Sequence, residues 1–227
     1  MPVPLSPQAP LSPQAPLSPQ APLNNETRAL IRVLEYYCIS LVLDVGANVG
    51  ANVGLYPIKL RRGGYTGWIV SFEPVADRHR ALRAAAMGDE RWRVAAPLAL
   101  GDHNDNITIH PPSGCDLEDG AVTVPLARLD HILDDHAGLD DRVFLRLATR
   151  GHDFAALRGA ERVLERVHGI QMELALVPVY PDEPDYLCAI ERLGVVGFAP
   201  VLFGSGYFNW RTAHQLTIDA VFARVLI

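Results

Sequence analysis

The stretch that most constrains this chain runs from Leu41 to Pro74. A block of branched apolar residues, "LVLDV" (41–45), carries an acid near its end and opens into the glycine-punctuated "GANVGANVG". "LYPIKLRR" follows, and then a second apolar block, "WIVSF" (68–72), leads directly into Glu73. Short apolar runs bounded by turn residues read as buried strands. Glycine permits positive φ and close approach of backbone to a ligand. A strand, a glycine loop, a helix and a second strand form the unit of a parallel sheet, whose ligands sit beyond the carboxyl ends of its strands. The residues to interrogate are therefore Asp44 to Gly54, Glu73 and the segment after Leu147.

The rest of the chain extends this pattern. Residues 1–23 contain the unit LSPQAP three times. Proline at that density fixes the backbone near polyproline II and removes donors, so a disordered tail is expected there, with one folded domain over 24–227. "NNETRALIRVLEYYC" has an asparagine cap and helical apolar spacing. "LYPIKLRR" reads as a helix with Pro57 in its first turn, and "PVADRHRALRAAAM" as one with Pro74 at its start. "RWRVAAPLAL" reads as a third strand, 102–126 as a hairpin-like excursion, and "VFLRL" and "GIQMELAL" as further strands. "HDFAALRGAERVLERV" predicts one amphipathic helix with Phe154, Leu157, Leu164 and Val167 on one side. "PDYLCAIERLG" predicts a helix stopped by Gly194. "FAPVLF" and "LTIDAVFARV" close the chain as two strands with no helix between them, so the last is expected to run antiparallel in an otherwise parallel sheet with helices on both faces.

Composition narrows the partners. The formal net charge of −6 over 227 residues offers no basic excess to displace counterions from a phosphate backbone, so no nucleic-acid partner is expected. No stretch approaches the length of an apolar bilayer span, no secretory leader pattern opens the chain, and Cys38, Cys115 and Cys188 read as buried thiols in a reducing compartment. A cytoplasmic protein without a membrane partner is the expectation.

The glycines at 46, 50 and 54 do not supply the G-x-G-x-x-G of a dinucleotide fingerprint, which disfavours a nicotinamide oxidoreductase. "DVGANVG" matches instead an acid-x-G-x-x-x-G loop of S-adenosylmethionine (SAM) sites. Glu73, ending the second strand, is placed to accept hydrogen bonds from both ribose hydroxyls. The alternative is a tight turn with a helix-capping glutamate. The chain resembles the FkbM family of SAM-dependent methyltransferases in "LVLDVGANVGANVGLY" with one ANVG removed, "IVSFEP", "LALGD", "FLRLATRGHDFAALRGAERVL", "IQMELALVPVYPDEP" and "LTIDAVFAR". These segments span most of 41–224 in the family's order. The resemblance implies a class I SAM methyltransferase fold, Rossmann-like, with seven strands, the last antiparallel. It also implies methyl transfer from SAM to an oxygen of a sugar, secondary metabolite or similar small molecule. Asp44, Gly46, Asn48, Gly50 and Glu73 would contact the cofactor, and Asp102 falls where such folds approach the adenine.

Two features depart from that pattern. ANVG is duplicated, and the two copies are identical, so either could face a cofactor. "RLATRG" (146–151) stands where the family reads like K-I-D-x-E/Q-G, so Ala148 replaces an aspartate and Arg150 a Glu or Gln, while Arg146 keeps the charge of the lysine. Both departures suit a rival reading, a domain that keeps the fold as a binding module or decayed product without catalysis. A histidine can serve as a general base, but His152 reads first as a surface histidine at a helix start, with Asp153 as a helix-start charge. No catalytic residue is assigned. The acids and histidines of "LDHILDDHAG" read as a solvated helix and no metal site is expected. Tyr207, Phe208 and Trp210 form an acceptor lid, a dimer contact or a self-packed loop, and Glu173 either faces the acceptor or is a hydrogen-bonded acid in the sheet. The oligomeric state is left open.

Overall fold

The computed structural model describes residues 23–47, 55–109, 121–149, 151–178, 180 and 183–225. Helix α1 (Asn25–Tyr36) starts where the Asn24 side chain accepts from the Thr27 amide at 2.9 Å, and it buries Leu30, Ile31 and Leu34. Strand β1 (Leu41–Val45) is buried throughout, and α2 (Leu55–Arg62) carries Pro57 in its first turn. Strand β2 (Trp68–Phe72), α3 (Ala76–Ala86) and β3 (Trp92–Val94) follow. Next come β4 (Ala99–Leu100), β5 (Asp105–Ile109) and β6 (Val122–Ala127). The second half holds α4 (Leu129–Ile132), β7 (Val143–Leu147), α5 (Asp153–Arg158), β8 (Val167–Ala175) and α6 (Tyr186–Val195). It closes with β9 (Phe198–Phe203), the short pair β10 (Phe208–Asn209) and β11 (His214–Gln215), and β12 (Thr217–Arg224).

Seven strands form one sheet in the order β3-β2-β1-β7-β8-β12-β9. All pairings are parallel except those of β12, which runs antiparallel to both neighbours. Alternate residues feed two cores. Val42, Ile69 and Phe144 pack with Leu34 of α1, Leu60 of α2 and Leu82 of α3, while Leu43, Val70 and Leu145 pack with Leu129 of α4, Leu157 of α5 and Leu193 of α6. The expected doubly covered sheet with an antiparallel last strand is present.

Local expectations fail where tertiary contacts decide. "RWRVAAPLAL" is two strands: β3 pairs with β2, whereas β4 joins β5 and β6 in a separate three-stranded sheet. The expected hairpin excursion is the antiparallel pair β5–β6. The single helix expected over 152–167 stops at Arg158, resumes as a tighter turn over Glu161–Arg166, and Val167 already belongs to β8. A Cβ at Gly159 would lie 1.9 Å from the Gly101 carbonyl oxygen, and the Gly159 carbonyl accepts from the Asp130 amide at 2.9 Å. That close crossing of backbones, which only glycine permits, breaks the helix. Helix α6 runs through Gly194, and the left-handed residue after its end is Gly197, at φ +87°. Pro74 precedes the Val75 cap of α3 by one residue instead of opening the helix. Cys38 is exposed and Cys188 half-buried, against the expectation of buried thiols; Cys115 lies outside the described residues. The proline-rich tail lies outside them too, apart from its last residue. Among the described residues no helix is long and apolar enough to cross a membrane.

Candidate functional site

The carboxyl ends of β1, β2, β7 and β8 converge on one edge of the sheet. The turn leaving β1 lies against the end of β2, because the amides of Gly46 and Ala47 both donate to the Phe72 carbonyl at 3.1 Å. On its other side it lies against the end of β7, where the Ala148 amide donates to the Val45 carbonyl at 3.0 Å. Gly46 has φ +75°, and a Cβ there would sit 2.4 Å from the Ala148 carbonyl oxygen. This glycine is demanded by backbone geometry and by a close approach at once.

Glu73 follows Phe72 and is only 2% exposed. Its Oε1 accepts from the Val75 amide at 2.9 Å, which braces the start of α3. Glu73 thus stands at the second strand end, one residue past the carbonyl that receives the Gly46 and Ala47 amides, and its bond to the Val75 amide is the one the capping alternative describes.

Asp44 is fully buried. Its Oδ1 accepts from Arg146 at 2.6 Å and its Oδ2 from the Ser71 hydroxyl at 3.2 Å, which in turn accepts from the Trp92 indole at 3.0 Å. The pair follows from register: Asp44 on β1 lies opposite Arg146 on β7, and both point to the side of the sheet that α1, α2 and α3 cover. The guanidinium also stacks 4.5 Å from the centre of the Tyr56 ring. The Tyr56 hydroxyl donates to Gln171 Oε1 at 2.7 Å, and burial holds it far above its usual acidity range. Tyr56, Arg146 and Gln171 are members of this network that the glycine motif does not reveal. One signal was available: Asp44 and Arg146 are each the fourth residue of a five-residue strand, "LVLDV" and "VFLRL".

Beyond β7, Asp153 is 8% exposed and accepts from both the amide (2.7 Å) and the hydroxyl (2.5 Å) of Thr149, so it fastens the turn into α5. Burial pushes its carboxyl up, and the Thr149 bonds oppose that. His152 is exposed at the start of the same helix. Gly151, Asp153, Phe154, Glu173 and Glu183 border a small cleft with residues of β8 and α6. Asp102, past β4, is bound by Arg158 at 2.7 Å and His103 at 2.8 Å, and these partners hold its carboxyl down to about 2. The structure thus brings Asp44, Gly46 and Glu73 together, whereas Asp102 ties its loop to α5. Asn48, Gly50 and Arg150 lie outside the described residues. Trp210 is 88% exposed and meets Phe208 edge-on, on the small hairpin of β10 and β11. Within "LDHILDDHAG" the acids serve the fold: Asp130 accepts from Arg128 and from the Arg162 amide.

The sequence from residue 44 to 195 matches the family model of the methyltransferase FkbM domain, more than half of the chain. The chain belongs to the FkbM methyltransferase family. The family uses SAM. No curated protein matches the sequence. Among solved structures, this FkbM domain is similar to an rRNA methylase from Streptococcus thermophilus (11% identity, 91% of this chain and 100% of that chain, TM-score 0.50). It is also similar to cofactor-bound Rv0187 from MTB (16%, 93% and 83%, TM-score 0.50) and to a DUF574 family protein from Streptomyces avermitilis (15%, 88% and 81%, TM-score 0.52). At such identities the likeness establishes the fold, that of class I SAM methyltransferases, and leaves the acceptor to be argued from this chain's own site.

Proposed function

We propose that this FkbM domain binds SAM and transfers its methyl group to a hydroxyl oxygen of a small molecule, a sugar or secondary metabolite. The observation that carries the reading is the buried carboxylate of Glu73, held by the Val75 amide beside the Gly46 turn. The donor set suits the cofactor. A ribose diol offers two donors and needs an acceptor at the second strand end. A sulfonium needs acidic surroundings, and at the strand ends Glu173 lies within reach of the carboxylates of Asp219, Asp153 and Glu183. Glu73 would take the ribose, the turn from Asp44 through Gly46, Asn48 and Gly50 the methionine portion, and Asp102 the adenine side. Bound there, the cofactor supplies a methyl group activated by its positive sulfur. The protein's part is to align the acceptor oxygen with that methyl, exclude water and receive a proton.

Calorimetric titration with SAM tests the reading. Glu73→Gln keeps an acceptor for the Val75 amide but removes the charge, and it is expected to weaken SAM binding about 10- to 100-fold, the cost of a charge-assisted hydrogen bond. Unchanged affinity in this variant, or no binding by the wild type, overturns it. A second reading rests on Ala148, which leaves the end of β7 without the acid that the resemblance places there. SAM binding without methylation of any hydroxylated acceptor assigns the domain to a binding role.

A further inference from the structure

We propose that Glu173 is the catalytic base, the group that takes the acceptor's hydroxyl proton; this rests on the SAM reading above. The sheet edge carries several acids, and most are committed. Asp44 is paired with Arg146 and Ser71. Asp102 is held by Arg158 and His103. Asp153 is fastened to Thr149 twice, and Glu183 accepts from the Tyr180 amide at 3.3 Å. Burial pushes the Asp219 carboxyl up as well, but unlike Glu173 it has the cations Arg146 and Lys59 close enough to oppose that, and it does not border the cleft. Glu173 differs in its position and its exposure. It stands near the carboxyl end of β8, two strands from the glycine turn and beyond β7, where an acceptor approaching a methyl held over β1 would lie. It borders the cleft formed with Gly151, Asp153 and Phe154, and it remains exposed while Met172 and Leu174 on either side are buried. Thr217 on β12, one of the two strands flanking β8, hydrogen-bonds it.

The charges that act on it are the carboxylates of Asp219 from β12, Asp153 from α5 and Glu183 from the segment before α6. Desolvation at the cleft wall first, and then these neighbours, push the Glu173 carboxyl up, and the Thr217 bond opposes them; a raised carboxylate is the better proton acceptor. In the step, the acceptor oxygen forms the new bond to the methyl carbon. The sulfur–methyl bond breaks with its electron pair left on sulfur, and the hydroxyl proton passes to Glu173. S-adenosylhomocysteine and the methyl ether leave, and Glu173 returns its proton to water.

The test needs no knowledge of the acceptor. Sinefungin carries an ammonium-bearing carbon where SAM carries its sulfonium methyl, so its charge projects toward the base. The full chain is titrated with sinefungin and with S-adenosylhomocysteine, in the wild type and in Glu173→Gln. The wild type is expected to prefer sinefungin by about 10-fold, the worth of one charge-assisted contact. Glu173→Gln is expected to erase that preference while leaving S-adenosylhomocysteine affinity within about twofold. Asp219→Asn is expected to keep the preference and to carry it to lower pH, because one of the charges that raises Glu173 is gone. A preference for sinefungin that survives in Glu173→Gln overturns the assignment of the base. Failure of S-adenosylhomocysteine to bind the wild type overturns the SAM reading itself, and the assignment falls with it.

Discussion

Replacing Arg146 with methionine is expected to destabilise the domain by about 3–5 kcal/mol, the cost of removing one partner of a buried ion pair. The Asp44 carboxylate has no exposed surface, and its partners in the structure are the guanidinium at 2.6 Å and the Ser71 hydroxyl at 3.2 Å. Methionine fills much of the arginine's volume and can still lie against Tyr56, so the loss is chiefly electrostatic. It leaves a negative charge in the sheet with a single neutral donor. Urea denaturation measures the deficit, and a melting temperature lower by roughly 10 °C accompanies it. Asp44→Asn in the same background removes the stranded charge and is expected to restore at least half of the loss. A variant as stable as the wild type at about pH 8 would show that the pair contributes nothing.

The same pair shows what the sequence reveals and what it hides. Strands β1, β2, β7 and β8 announce themselves as apolar blocks because a parallel sheet is buried on both faces. The antiparallel last strand is legible because nothing helical separates "FAPVLF" from "LTIDAVFARV". The glycine turn and Glu73 are legible because each is attached to a strand end. Arg146 is not legible as the partner of Asp44 by separation, since the two stand 102 positions apart. Only knowledge that β1 pairs with β7 brings them together. The helix expected over 152–167 fails for the same kind of reason: its apolar period is correct, but the backbone crossing at Gly101 and Gly159 is made by a distant segment. The exposed Cys38 shows the limit of residue type as a guide to burial, since it sits in the left-handed turn after α1 at φ 51° and not on an apolar face.

The turn at Gly46 is the point at which fold and binding site share one constraint, and Gly46→Ala is expected to damage both. Two costs add. A left-handed backbone at φ +75° disfavours any side chain by about 1–2 kcal/mol. The new Cβ would also lie 2.4 Å from the Ala148 carbonyl oxygen, and backbone cannot rotate aside as a side chain can. Either the β1 turn lifts from the end of β7, or the amides of Gly46 and Ala47 release the Phe72 carbonyl and the turn shifts relative to Glu73. A displacement of about 1 Å exceeds the tolerance of a binding constellation. The expected outcome is a stability loss of about 2–4 kcal/mol together with a fall in SAM affinity of at least about 100-fold. Gly64→Ala separates the two costs, because Gly64 has φ +95° but nothing within 4 Å of the position a methyl carbon would take there. That control is expected to lose only about 1 kcal/mol and to bind SAM like the wild type. Shortening Ala148 to glycine gives no rescue, since the obstructing atom is its carbonyl and not its side chain. If Gly46→Ala matched Gly64→Ala in both measurements, the contact between the turn and β7 would not be what holds the β1 turn in place.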